Sequence, residues 1–224
     1  MKAALLSHYP ANKIMNLLVR NGFHISADPE FVFTYGGDGT ILEAEHKYPG
    51  VPVVPVQKSE ICANCSVYSV TSLRSVLEKI KRGNFSIKEE PKIEAVFQGR
   101  KISALNEVQV HVRDPRRALR FSLRSGKTNY RQLIGDGIIA STPFGSTAYY
   151  RSIGYKSFRS GLRIGFNNVW PKLPYLEIKD SAELKLLRGE AWLTGDNCFI
   201  KKMDAGDRVV VMPSKEKARF VLFK

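Results

Sequence analysis

Phe31-Val32-Phe33-Thr34-Tyr35-Gly36-Gly37-Asp38-Gly39-Thr40 is an apolar run that empties into three glycines crowded around one carboxylate. Ile41-Leu42-Glu43-Ala44-Glu45 follows and reads as the start of a helix. Glycine lets a backbone turn sharply and lets a ligand come close to the main chain. A strand feeding such a loop and then a helix N-terminus suits phosphate, because free N–H groups and the helix dipole both favour anions. Asp38 is the odd member: a carboxylate repels phosphate unless it binds a metal or does proton chemistry. A tight turn with Asp38 as helix cap is the plain alternative.

Outward from this loop, strand and helix patterns alternate. Residues 2–6 are apolar and strand-like. Residues 11–20 carry Ile14, Leu17 and Leu18 at helical spacing, and Asn21-Gly22 supplies a stop. Phe23-His24-Ile25 reads as a brief strand. Residues 51–56 are apolar enough for a buried strand, although Pro52 and Pro55 place it at an edge or shorten it. Residues 72–82 put Leu73, Val76, Leu77 and Ile80 on one helical face, with Gly83 as the stop. This alternation predicts an α/β region over residues 1–90, built on a Rossmann-like parallel sheet.

The pattern changes near Pro91. Period-two alternation runs through 93–97, 101–112 and 119–124, with Arg120 and Arg124 between Leu119, Phe121 and Leu123. Further strands are expected at 162–166, 182–187, 190–193, 208–212 and 219–223. An antiparallel β-rich domain is therefore expected over 91–210, and 211–224 as a C-terminal strand returning to the first domain. Ser125-Gly126-Lys127-Thr128 looks like the end of a P-loop. The match fails, because the required first glycine falls on Phe121 and the flanks read as a hairpin.

Bulk composition narrows the partners. The 224 residues carry a formal net charge of +14, which implies polyanionic company: nucleic acid, or small phosphate-rich ligands. No apolar run reaches the roughly 18–20 residues of a membrane span, and the N-terminus turns polar too soon for a secretory signal. A cytoplasmic protein is expected. Three cysteines do not make a disulfide framework, and Cys62-x-x-Cys65 has no second pair to complete a zinc site.

A second constellation begins at Gly135-Asp136-Gly137 and ends in Ser141-Thr142-Pro143-Phe144-Gly145-Ser146-Thr147-Ala148-Tyr149. So many small hydroxyl and glycine positions around a proline make a rigid loop that offers hydroxyls and N–H groups to a polar ligand. An ordinary capped loop would have the same composition.

Gly36-Gly37-Asp38-Gly39-Thr40, Leu105-Asn106-Glu107-Val108, and the block from Asp136-Gly137 to Tyr149 together resemble the NAD kinase family. The first block alone is shared by lipid kinases and phosphofructokinases; the long third block is far more specific. The resemblance implies a two-domain NAD kinase-like architecture and transfer of phosphate from ATP, or from polyphosphate, to the adenosine ribose 2′-hydroxyl of NAD. By position, Asp38 is implied as general base, with Gly37 and Gly39 facing phosphates. Asn106, Glu107 and Asp136 are implied as NAD ligands, and Thr147, Ala148 and Tyr149 as the wall around the dinucleotide. Ser141, Thr142, Ser146, Ser152 and Asp196 complete the expected binding set. Magnesium is implied as a companion of the donor, with no metal-ligating side chains assigned. A homodimer or homotetramer is expected, with neither nucleic acid nor a membrane as partner.

The chain departs from the family pattern at several places. Phe144 replaces a threonine, and Ile134 an arginine. Gln57-Lys58-Ser59-Glu60-Ile61-Cys62 replaces a glycine-rich segment, and the late aspartate turn survives as Thr194-Gly195-Asp196-Asn197. These changes bear on donor choice and on NAD against NADH. Two other readings stay open on sequence: a different small-molecule or lipid kinase sharing the first loop, and a non-catalytic basic protein that binds nucleotides or nucleic acid.

Overall fold

Two compact units divide the chain, Met1–Glu90 with Lys217–Lys224, and Pro91–Glu216. The computed structural model describes residues 1–58 and 68–223, so the Cys62/Cys65 pair and part of the replaced segment lie outside the described residues.

The first unit runs β1 (Lys2–Ser7), α1 (Asn12–Arg20), β2 (His24–Ile25), β3 (Phe31–Gly36), α2 (Asp38–Lys47), β4 (Val53–Gln57) and α3 (Leu73–Lys81). Its sheet has the order β2-β1-β3-β4, parallel throughout. Ala3, Phe31, Phe33, Val54 and Val56 share a core with Ile14 and Leu18 of α1 and Leu73, Leu77 and Ile80 of α3. The intervening residues Val32, Thr34 and Val53 are buried as well, and α2 packs on β1, β3 and β4. A parallel sheet covered on both faces explains why these strands read as unbroken apolar runs. Each large side chain so buried contributes about 1.5–3 kcal/mol. Helix α1 stops where the Asn21 side-chain amide donates to the Leu17 carbonyl at 2.7 Å and Gly22 turns to φ +81°.

Two local readings are corrected here. The prolines do not put β4 at the edge. It lies between β3 and the strand that returns from the end of the chain, pairing at Phe220↔Val53. Pro52 sits just before the strand, so Pro55 alone costs the ladder a donor. The helix after the glycine loop begins at Asp38, ahead of Ile41: Gly37 is the N-cap, and Asp38 occupies the first helical position.

The second unit takes in most of β5 (Ser86–Phe97), then β6 (Arg100–Ala104), β7 (Glu107–Val112), β8 (Leu119–Ser125), β9 (Thr128–Gly135) and β10 (Gly137–Ser141). After a 3-10 turn at Gly145–Thr147 come the short helix α4 (Tyr149–Ser152), β11 (Leu162–Asn167), β12 (Leu176–Ile178), β13 (Ala182–Arg188), β14 (Ala191–Gly195), β15 (Phe199–Met203) and β16 (Arg208–Leu222). One antiparallel sheet has the order β12-β11-β10-β7-β14-β15. Elsewhere in the unit β13 pairs with β16 and β8, β8 with β9, and β5 with β6, again antiparallel. Val108, Val110, Leu119, Phe121, Ile138, Leu184, Leu193 and Val209 lie in one core between these layers.

The fold is the expected α/β region followed by antiparallel β structure. Three details differ from the sequence reading. Gly137-Ile138-Ile139-Ala140-Ser141 is a fully buried central strand, since the isoleucines and small neighbours suit a strand flanked on both edges. The strands expected at 208–212 and 219–223 are one, continuing through Pro213. The block read as a loop through Tyr149 ends partly helical: one 3-10 turn is followed by four helical residues. Ser125-Gly126-Lys127-Thr128 is the β8–β9 hairpin turn, with Gly126 at φ +54°.

Candidate active site

The glycine loop of the first unit sits at the carboxyl edge of its parallel sheet, where open α/β sheets bind ligands. Ser7, Gly36 and Gln57 end neighbouring strands, with Ser7 opposite Tyr35 and Gly36 opposite Gln57. The Ser7 hydroxyl joins the loop ends: it stands 2.9 Å from the carbonyls of both Tyr9 and Tyr35 and donates its one proton to either. Gly36 is required by packing: a Cβ there would stand 2.2 Å from Thr40 Oγ1 and 3.1 Å from Thr40 Cβ. A Cβ on Gly37 would meet nothing within 4 Å among the described residues, so that face of the loop is clear of them. Gly37 and Asp38 are half-buried and Gly39 is exposed. Asp38 in the first turn of α2 places a carboxylate at the positive pole of the helix dipole. Beside the loop, a cavity of about 390 Å³ is lined by Pro10, Ala11, Asn12, Lys13, Ile14, Tyr35 and Val70. Its size is in the range of small-molecule pockets.

In the second unit, Asn106 and Glu107 lie at the start of β7 and are each 6% exposed. Their surroundings form a clamp made mostly of backbone. The Asp196 carboxylate, on the turn between β14 and β15, accepts from the N–H groups of Leu105, Asn106 and Glu107 at 2.8, 2.7 and 3.2 Å. Thr142 holds the other side: its N–H donates to the Asn106 carbonyl at 2.9 Å and its hydroxyl to the Leu105 carbonyl at 2.6 Å. Gly145 closes over Asn106 so tightly that a Cβ would fall 2.2 Å from the Asn106 oxygen.

With its backbone so held, the pair keeps acceptors in reserve. Asn106 Oδ1 and Glu107 Oε2 are buried without a hydrogen-bond partner, while Glu107 Oε1 accepts from Gln109 Nε2 at 3.1 Å. A buried, unsatisfied polar atom costs about 1–3 kcal/mol, so two on adjacent residues point to a ligand that supplies donors. Burial pushes the Glu107 carboxyl up to about 7, with the nearby Asp196 charge adding to the rise and the Gln109 hydrogen bond opposing it. Burial also raises Asp196 against the lowering effect of its three N–H donors and of the Lys92 charge. Lys92, only 4% exposed, pairs with Glu216 at 3.3 Å.

The hydroxyls of the second block mostly turn inward. Ser141 and Thr142 are fully buried; Ser141 Oγ donates to the Thr142 carbonyl at 3.0 Å. Ser146 Oγ donates to the Pro143 carbonyl at 2.7 Å and accepts from the Phe158 N–H at 3.2 Å. Ser152 Oγ donates to the Tyr149 carbonyl at 2.8 Å. Thr147 is half-buried, whereas Ala148, Tyr149 and Ser152 lie on the surface. The structure thus gathers Asn106, Glu107, Ser141, Thr142, Gly145 and Asp196 into one cluster, with Ala148–Ser152 following it along the chain.

Asp136 stands apart from this cluster. It precedes β10 while Ser141 ends it, and Gly137 pairs with His111 where Ser141 pairs with Glu107. Roughly 17 Å of strand separates the two ends. There Asp136 Oδ2 accepts from Asn168 Nδ2 at 3.1 Å. Phe144 is buried in the loop, and Ile134 is exposed on β9. Sequence reasoning missed Gln109, the packing role of Gly145 and the buried Lys92. Only Gly145 left a signal, as a glycine in an otherwise hydroxyl-rich turn. Among the described residues, no group of three or more His, Cys, Asp or Glu side chains is placed to hold a metal. No helix among them is long and apolar enough to cross a membrane.

The family profile described as ATP-NAD kinase C-terminal domain matches residues 105–223. An NAD kinase of Methanothermobacter thermautotrophicus is 27% identical over 206 residues, covering 87% of this chain and 72% of that protein. Two solved structures share the fold over the whole chain. One is an NAD kinase from Archaeoglobus fulgidus in complex with ATP, at 20% identity and TM-score 0.82 with 94% of it covered. The other is yeast NADH kinase complexed with NADH, at 14% identity and TM-score 0.86 with 84% of it covered.

Proposed function

The chain belongs to the NAD kinase family, and we propose from its geometry how it phosphorylates NAD to NADP. The observation that carries the reading is the adjacent pair of buried, unpaired acceptors on Asn106 and Glu107. Ribose hydroxyls and a carboxamide supply the donors such a pair needs. A protonated Glu107 can also donate, which its raised carboxyl allows near neutral pH.

In the proposed reaction Asp38 orients the adenosine ribose 2′-hydroxyl. The hydroxyl oxygen bonds to the terminal phosphorus of the donor as that phosphorus parts from its bridging oxygen, which leaves ADP when ATP is the donor. The proton passes to an Asp38 oxygen as the new P–O bond forms. A carboxylate is too weak a base to ionise a sugar hydroxyl beforehand, so the transfer belongs to the transition state. Gly37, with open space at its Cα, and Gly39 leave room for donor phosphates at the N-terminus of α2. Phosphoryl transfer asks mainly for such alignment and charge neutralisation. Magnesium bound to the donor would neutralise phosphate charge, held by phosphate oxygens and water, as suits an ion that needs few protein ligands.

The remaining roles divide by exposure. Thr147, Ala148, Tyr149 and Ser152 are proposed to line the dinucleotide. Ser141, Thr142 and Ser146, whose hydroxyls serve the backbone, are proposed to shape the loop that does so. Asp136 is too far along β10 to act beside Glu107 of its own chain. That separation supports a homodimer or homotetramer in which a second copy brings Asp136 to the site. A cytoplasmic location suits an enzyme whose substrates are soluble nucleotides.

The test is incubation with NAD, magnesium and either ATP or polyphosphate, read by an NADP-specific dehydrogenase. NADP is expected with at least one donor. Phosphorylation of a sphingoid base or diacylglycerol in place of NAD would overturn the reading.

A further inference from the structure

Asp196 is one of three non-glycine residues with positive φ among the described residues, at +48°. Asp and Asn tolerate this left-handed region better than other side chains, yet holding it still costs about 1–3 kcal/mol. The conformation turns the carboxylate back over the start of β7, where it takes all three N–H groups of Leu105, Asn106 and Glu107. The Asp196 N–H in turn donates to the Glu107 carbonyl at 3.0 Å, closing the turn onto the strand from both directions. With both carboxylate oxygens occupied by backbone, little acceptor capacity is left for a ligand.

We propose that Asp196 is a positioning residue and not an NAD ligand: from its left-handed turn it clamps residues 105–107 and so aims the free acceptors of Asn106 and Glu107. The assignment rests on the reading of Asn106 and Glu107 as the NAD-holding pair. Only a carboxylate fills this role. Its two oxygens meet three donors without adding a donor of their own, whereas an asparagine amide would turn an NH2 group against at least one backbone N–H.

Asp196 also acts on Glu107 through charge. The charged groups around this pair are Asp196 itself on the β14–β15 turn and Lys92 of β5, which acts on Asp196. Gln109 on β7 is neutral, and opposite Glu107 the end of β10 places Ser141, followed by Thr142, both uncharged. Removing the Asp196 charge therefore lowers the pH at which Glu107 titrates, a change that a purely structural turn would not produce.

The experiment measures NADP formation by the full chain against NAD concentration across pH, for wild type, Asp196→Asn and Glu107→Gln. For Asp196→Asn, KM for NAD is expected to rise about tenfold, with kcat at saturating NAD within about threefold of wild type. The midpoint of log KM against pH, near neutral in wild type, should move to lower pH. An unchanged KM, a fall in kcat alone, or a risen KM with an unmoved midpoint would each overturn the proposal. If Asp196→Asn lacks a cooperative melt, Glu107→Gln decides: the neutral-range pH dependence of KM should disappear, and its persistence overturns the coupling. Wild type that makes no NADP removes the kinase reading and this proposal with it. Wild type that makes NADP beside an unaltered Asp196→Asn variant removes this proposal alone.

Discussion

Gly145 and the Asn106 carbonyl are in such close contact that any side chain at 145 would displace the backbone that presents the site's unpaired acceptors: the distance from an added Cβ to that oxygen is 2.2 Å, and to the carbonyl carbon 2.5 Å. Gly145→Ala should therefore lose about 1–3 kcal/mol of stability, as overpacked cores do. The loss would be read as a lower urea midpoint at unchanged slope. KM for NAD should rise in the same variant, because the strained atoms belong to Asn106.

Gly36 and Gly37 are neighbours with opposite demands. Gly36→Ala puts a Cβ against the β-branched Thr40, whose Cβ at 3.1 Å cannot rotate away. A stability loss of about 1–3 kcal/mol is expected by thermal melting. Gly37→Ala meets no atom of the described residues and should melt within about 0.5 kcal/mol of wild type. It should still raise KM for the phosphoryl donor, because the new methyl group fills space assigned to phosphate.

Asp38→Asn keeps the shape of the side chain and removes its ability to take a proton. A fall in kcat of about 10²–10⁴-fold is expected, with NAD affinity by calorimetry nearly unchanged. Wild-type turnover in this variant would exclude Asp38 as the base.

Glu107 makes stability depend on pH. Its folded-state carboxyl titrates at about 7 against a reference of 4.5, so the folded chain holds this proton more tightly than the unfolded one. The contribution is fully present below about pH 4.5 and is lost as pH rises through about 7, a difference on the order of 3 kcal/mol. Glu107→Gln should thus melt close to wild type near pH 4.5 and above it at pH 8. Equal melting temperatures at pH 8 would show that the carboxyl is not strained by burial.

Much of the fold was legible because its patterns are local. Leu73, Val76, Leu77 and Ile80 mark a helix by spacing alone, and the alternation at Leu119, Phe121 and Leu123 marks a half-buried strand. Pro55 misled because a proline's cost depends on which ladder bond it deletes, which is a tertiary matter. The site was legible in its residues more than in their roles. The sequence presents Ser141, Thr142 and Ser146 as hydroxyls on offer, but only packing decides that they donate to the carbonyls of Thr142, Leu105 and Pro143 respectively. The left-handed turn of Asp196 and the burial of Lys92 arise from contacts across about 90 and 124 residues, which no local window contains.

The strand β16 carries a consequence for synthesis. The first unit includes Lys217–Lys224, and its β4 pairs through Val53 with Phe220. On the ribosome β4 must therefore wait for residues 217–222 before Val53 gains its second partner strand, while the whole of 91–216 is translated. At about 5–20 residues per second this is roughly ten seconds with the Val53 end of the β4 edge unpaired, an interval in which an open edge invites pairing with other chains. A nascent chain stalled before residue 217 should be more prone to chaperone capture and protease attack at residues 1–58 than one extended through residue 224.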